Sequence, residues 1–159
     1  MIIHYEAHQR FLKVLLQHQV KFLLIGGYAV NFHGYNRTTG DMDVWLEPTN
    51  ENKKHLINAL QAEDFDEEQL EQLGEMDFSQ PVVFYTGQAP LRIDFLTKIK
   101  RITFEEAYEQ KVFLTIDDYD IPVINLQHLV LSKISNNRTQ DKADIEALQK
   151  IMQQRKADK

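Results

Sequence analysis

The chain has 159 residues, with Lys+Arg 18 against Asp+Glu 24, a formal net charge of −6 at pH 7. That length suits one domain over 1–159, and 43% hydrophobic residues with 10% aromatics exclude wholesale disorder. The acid excess argues against a protein that coats nucleic acid by charge alone, and the lack of cysteine excludes disulfides, thiolate metal sites and cysteine nucleophiles.

No apolar run nears the roughly 18–20 residues that span a bilayer. Met1–Arg10 lacks the apolar core of a signal peptide. The expectation is a cytoplasmic protein with no membrane attachment.

From the N-terminus, His4–Gln19 sets Phe11, Leu12, Leu15 and Leu16 at helical spacing, an apolar stripe on a polar helix. Val20–Ile25 reads as a short buried strand ended by Gly26-Gly27. Tyr28–His33 reads as a short helix closed by Gly34, and residues 35–40 as a turn-rich connection. Met42–Leu46 forms a second strand, stopped by Pro48. Asn50–Ala62 repeats the helical pattern through Leu56, Ile57 and Leu60, and the acidic stretch Glu63–Glu71 reads as a solvated helix face.

Val82–Tyr85 and Leu91–Leu96 are expected to pair as strands across Thr86–Pro90. Thr103–Gln110 reads as a helix with Glu106 three residues after Thr103, the spacing of a capping box. Val112–Ile116 and Ile121–Ile124 flank the turn Asp117–Asp120 as a hairpin. Two helices, Asn125–Ile134 and Gln140–Gln154, make a C-terminal helical element over 125–155. Helices alternate with strands, and some strands are joined by short turns. The order predicts an α/β (α+β) fold, a mixed β-sheet flanked by α-helices.

Chemistry concentrates at Asp41-Met42-Asp43. Two residues apart on a strand, Asp41 and Asp43 project from one face with Cα atoms roughly 6.5–7 Å apart. That separation lets both carboxylates converge on a pair of divalent ions, as in two-metal phosphoryl-transfer sites. Oxygen-only ligation favours Mg²⁺ or Mn²⁺ over softer metals. A bare Asp-x-Asp proves little in a chain with 12 aspartates, and Asp64/Asp66 and Asp118/Asp120 repeat it. The first pair alone has a glycine pair upstream and an apolar strand downstream. Gly26-Gly27, between strand and helix, lets backbone approach a phosphate closely; the competing reading is an ordinary tight turn.

The run LLIGGYAVNFHGYNRTTGDMDVWL, Leu23–Leu46, resembles the signature of the nucleotidyltransferase fold of the DNA polymerase beta superfamily. Its texture is similar to a small bacterial branch that includes the abortive-infection (AbiEii-type) toxins, so the resemblance also suggests membership of a toxin–antitoxin pair. It implies a metal-dependent nucleotidyltransferase that moves a nucleoside monophosphate from a nucleoside triphosphate, ATP among them, to an acceptor hydroxyl. Pyrophosphate leaves. By the same resemblance Asp41 and Asp43 ligate two Mg²⁺ ions, with Mn²⁺ as the substitute. Asp94, in a strand where Leu91, Ile93 and Phe95 alternate with Arg92 and Asp94, supplies the third acid. It ligates the metal at the attacking hydroxyl and helps to deprotonate it.

Arg37, in the loop before the acidic strand, either reaches a phosphate or pairs with an acid. Lys133 shares the apolar face of its helix with Leu126, Leu129 and Val130, so it either snorkels outward or points into a triphosphate pocket. The run Arg138–Ile145 resembles the family's closing element. Its Asp141 and Asp144 fit a structural role in a first helical turn better than nucleotide contact. Tyr28 and Trp45 are candidates to stack on a base, Trp45 with the core as its better home. Ser132 and Ser135 lack the glycines of a nucleophile elbow.

The acceptor stays open: a tRNA end, a small molecule or a protein hydroxyl. Lys98, Lys100 and Arg101 form a small basic patch beside the Asp94 strand that would suit a phosphate-bearing acceptor. So short a chain leaves little room for an acceptor module, which suggests a homodimer or a partner protein. The alternative to an enzyme is an inactive nucleotidyltransferase-like domain that binds nucleotide or another protein.

Overall fold

The computed structural model describes residues 3–134 and 139–158; Ser135 and Arg138 lie outside them. One six-stranded sheet organises the chain, in the order β3-β4-β2-β1-β6-β5. At its centre β1 (Phe22–Ile25) is buried at every position and pairs antiparallel with β2 (Met42–Leu46) and parallel with β6 (Tyr119–Val123). β2 pairs parallel with β4 (Ile93–Leu96), and β3 (Val83–Thr86) closes that side antiparallel to β4. On the other side β5 (Val112–Ile116) pairs antiparallel with β6. Mixed pairing follows from the connections: a short loop joins β3 to β4, a tight turn joins β5 to β6, and helical crossings join the parallel neighbours.

Alternation gives the sheet two unlike faces. Met42, Val44 and Leu46 of β2 and Phe95 of β4 are fully buried in the apolar core. α1 (Glu6–Gln17) packs there through Phe11, whose ring lies 6.0 Å from that of Phe95, and Phe84 of β3 stacks on Phe95 at 4.8 Å. Burying an aromatic side chain of this kind stabilises the fold by about 1.5–3 kcal/mol. α3 (Asn50–Ala62) begins at a Thr49 cap, and the buried Asn52 side chain bonds both backbone groups of Lys21 and the Glu47 carbonyl. That fixes the helix to the ends of β1 and β2.

The opposite face carries Asp43 and Trp45 on β2 and Asp94 and Leu96 on β4. Trp45 is fully buried, donates from Nε1 to the Thr97 carbonyl at 2.9 Å, and meets Phe104 edge-on. Phe104 opens α5 (Phe104–Glu109), which the Thr103 hydroxyl caps at the Glu106 amide. α5 thus covers the far end of this face and leaves the acidic end open. α2 (Gly26–Phe32), α6 (Leu126–Ile134) and α7 (Thr139–Ala157) pack beside it.

Several expectations shift in detail. The glycine pair does not form a separate turn: Gly26 and Gly27 are the first two residues of α2. Tyr28 is 1% exposed and bonded to His8, so its ring is closed to a base, and Trp45 is core. The acidic stretch starts as a bend, with Asp64 at φ 58 and Asp66 capping α4 (Glu67–Glu75). The β5–β6 turn is two residues, Asp117 and Asp118, so Tyr119 and Asp120 join the strand. Asp117 supplies the positive φ that such a tight hairpin needs.

Candidate active site

The parallel register of β2 and β4 sets Asp43 directly beside Asp94. Adjacent strands lie about 4.8 Å apart, so the two carboxylates leave one sheet face side by side. Asp41 stands just ahead of β2, where the Met42 amide donates to the Arg92 carbonyl at 3.1 Å and ties that end to β4. Below Asp43 sits Gly26, at φ 67, and a Cβ built there would collide with the Asp43 carboxylate. A Cβ on Gly27 would collide with the Thr39 side chain. The glycine pair is therefore required by packing against the acidic strand as well as by backbone conformation.

A cleft of about 510 Å³ opens here, and all seven residues singled out from the sequence line it: Gly26, Gly27, Arg37, Asp41, Asp43, Asp94 and Lys133. They do not share one state. Arg37 and Lys133 are already neutralised. Arg37 Nη2 donates to Asp144 Oδ2 at 3.0 Å, while its Nε lies 2.8 Å from Oδ1 without hydrogen-bond alignment. Lys133 Nζ lies 3.1 Å from Asp141 Oδ1 and 3.0 Å from Asp144 Oδ2. Lys133, Asp141 and Asp144 are all buried. Burial pushes the Asp144 carboxyl up, but hydrogen bonds from Lys133, Gln140 and Arg37 and the Lys133 charge outweigh it and hold it below the ordinary value.

Of the two readings left open for Arg37, pairing with an acid is the one observed. Lys133 points inward, as one of its two readings required, yet onto carboxylates. Asp141 and Asp144 are structural, but by pairing with Lys133 and Arg37 and not by the helix-terminus role expected of both; only Asp141 lies in the first turn of α7. The cleft's uncompensated positive charge is elsewhere. Lys98 and Lys100 line the mouth, continue the alternation of Asp94 and Leu96, and have no ion pair or hydrogen bond among the described residues.

Two features escaped the sequence reading. Arg92 stands between the acids: Nε and Nη2 donate to Asp94 Oδ1 at 3.0 and 2.9 Å, and Nε is 3.8 Å from Asp41 Oδ2. Its Cζ lies 3.9 Å above the Tyr85 ring. The hydrogen bond to Asp94, and then the charges of Asp94 and Asp41, raise the Arg92 pKa further above its ordinary value. The alternation that put Arg92 on the side of Asp94 was the available signal. Beneath the site, buried His8 bonds Tyr28 through Nδ1 at 2.9 Å; its Nε2 makes no well-aligned hydrogen bond, although the Leu91 backbone is near enough to act on the ring. No sequence pattern marks that pair.

Oxygen donors alone suit a hard divalent cation, and three carboxylates along one cleft provide them. As they stand, no group of three such side chains among the described residues is close enough to hold a metal ion. Among curated proteins, no match to this sequence is found. The crystal structure of the lincosamide antibiotic adenylyltransferase LnuA, with lincomycin bound, has a similar fold at TM-score 0.56. It is 14% identical, and the likeness covers 94% of this chain and 98% of that one. So low an identity carries the fold alone, which is the nucleotidyltransferase fold. A family model, described as nucleotidyl transferase of unknown function (DUF2204), matches residues 4–158. Spanned almost end to end by that match, the chain belongs to this nucleotidyl transferase family.

Proposed function

We propose that the protein is a metal-dependent nucleotidyltransferase acting on a small hydroxyl-bearing acceptor. The observation that carries this reading is the register of Asp43 with Asp94 beside Asp41, in a cleft whose free cations are lysines. Asp41, Asp43 and Asp94 would hold Mg²⁺ or Mn²⁺, which when bound supplies charge stabilisation at the entering and leaving oxygens. The acceptor oxygen attacks the α-phosphorus of the nucleoside triphosphate. The bond from that phosphorus to the β-phosphate bridging oxygen breaks, and pyrophosphate leaves. Asp94, beside the attacking hydroxyl, takes its proton.

Lys98 and Lys100, not the paired Arg37 and Lys133, meet the triphosphate charge. Detaching buried Lys133 from its carboxylates would leave a charge uncompensated, at about 3–5 kcal/mol, and Arg37 is held by the buried Asp144. Gly26 and Gly27 form the wall against which Asp43 is set. The net charge of −6 disfavours a long polyanionic acceptor. LnuA, whose fold is similar, is an adenylyltransferase of an antibiotic, which supports a small-molecule acceptor here over a tRNA end or a protein hydroxyl.

The test is incubation with α-phosphate-labelled triphosphates, Mg²⁺ and separated small-molecule, tRNA and protein fractions. Label should move to small molecules with release of pyrophosphate, and Asp43→Asn should abolish the transfer while far-UV circular dichroism is unchanged. Label transfer that survives Asp43→Asn overturns the assignment. The ion pairs of Arg92 with Asp94 and Asp41 favour a second reading, a nucleotide-binding domain without turnover. Triphosphate binding with no transfer to any fraction would establish it.

A further inference from the structure

Arg92 sits where the proposed reaction needs a cation. Two of its five donors, Nε and Nη2, engage one oxygen of Asp94, and Nε also lies at ion-pair distance, 3.8 Å, from the Asp41 carboxylate. An oxygen that accepts two charged N–H bonds has little lone-pair density left for a metal, and the guanidinium repels a second cation. We infer that Arg92 is a built-in stand-in for the divalent cation, holding Asp41 and Asp94 until Mg²⁺ displaces it along the face of Tyr85. This rests on the proposed role of the three acids and adds how their site is gated.

The surroundings allow the movement. Arg92 side-chain exposure is 39%, and that of Asp41 is 41%, so exchanging partners does not strand a charge in the interior. Tyr85, on edge strand β3, is 59% exposed and already carries the guanidinium on its ring. An arginine released from a carboxylate but still stacked there stays at the cleft edge, in reach of phosphate oxygens, which it binds with the same fork of donors. Cation and triphosphate then bind cooperatively, since each gives the displaced group or the vacated oxygens a new partner. Arg37, enclosed with Asp144, has no such second station.

Calorimetric titration of Mg²⁺ into the wild type, Arg92→Ala and Arg92→Lys, with and without a non-hydrolysable triphosphate analogue, tests this. Arg92→Ala should bind Mg²⁺ alone about tenfold more tightly, the worth of a lost charge-assisted hydrogen bond, and lose most of the coupling to the analogue. Arg92→Lys keeps the charge but not the fork, so it should fall between. In the wild type the Arg92 Nε–H resonance should move with the Mg²⁺ midpoint. Unchanged affinity in both variants, or a resonance that stays put while Mg²⁺ binds, overturns the gate alone. Behaviour of Arg92→Lys identical to wild type also overturns it, leaving only a general field effect. If no protein binds Mg²⁺ even with the analogue, the metal reading of the three acids fails with it.

Discussion

Two ion-pair clusters reach the same cleft, one sealed, through Arg37, Lys133 and Asp141, and one open, through Asp41 and Asp94. In the first, Asp144 and Asp141 are shut from solvent and Lys133 nearly so, with Arg37 at the edge. In the second, Arg92, Asp41 and Asp94 keep between 22% and 41% of their side-chain surface exposed. The chemistry is alike, cations set against aspartates, but the consequence of changing partners is not. A sealed charge has nowhere to go; an open one exchanges with water, metal or phosphate. Burial thus separates the cluster that shapes the cleft from the one available for reaction.

The largest expected effect breaks the sealed side. Asp144→Asn leaves Lys133 and Arg37 facing one carboxylate fewer, and should cost about 3–5 kcal/mol of stability in urea unfolding. The same loss should appear with pH. Because the Asp144 carboxyl is held below its ordinary value in the folded state, its contribution is full above the usual carboxylate range. It disappears as pH falls through the lowered folded-state pKa. The gap between wild type and Asp144→Asn should therefore be constant near neutrality and close only in strong acid. A gap that closes near pH 6 would mean that the cluster is not what holds α7 against α6.

Next in size is Gly26→Ala, which acts where backbone and open cluster meet. The left-handed φ alone costs an L-residue about 1–2 kcal/mol, and the new methyl displaces the Asp43 carboxylate. Nucleotidyl transfer should fall by about 10²-fold, as expected of misplaced catalytic groups. Transfer at the wild-type rate would show that Asp43 need not sit where the structure sets it.

Much of this arrangement was legible in the sequence because local patterns determine it. The alternation in Leu91–Leu96 and the run into Met42–Leu46 put three acids on exposed faces, and the glycine pair announced a close approach. What stayed hidden depends on register and on distant packing. No spacing tells that Asp144 meets Arg37 across 107 positions, or that Asp43 and Asp94 are level in the sheet. The helical face of Lys133 leaves an outward and an inward orientation both open, and the carboxylates that draw it inward come from a second helix. Arg92 was seen to share a face with Asp94, yet only coordinates show its guanidinium between the two acids.

A smaller effect separates the free lysines from the paired cations. Replacing Lys98 and Lys100 together with Ala should raise KM for the triphosphate about tenfold with little change in kcat, the mark of lost uniform binding. The thermal midpoint should not move, since neither side chain has a partner to lose among the described residues. A fall in kcat at constant KM would instead assign them to the transition state.

The smallest expected effect distinguishes buried histidines from both clusters. Burial lowers the pKa of His8, beneath the open site, and of His33, whose Nε2 bonds the Ile124 carbonyl at 2.8 Å. Both are neutral in the folded chain at pH 7, whereas the unfolded chain takes up protons below about pH 6.5. The unfolded state then binds more protons, so stability is full above that pH and declines as pH falls toward the lowered folded-state values. His8→Gln and His33→Gln, which keep a polar group but do not titrate, should each flatten the urea midpoint between pH 7 and 5. The Asp144 contribution should be unaffected over that interval. If the wild-type profile is already flat there, burial does not govern the titration of these histidines.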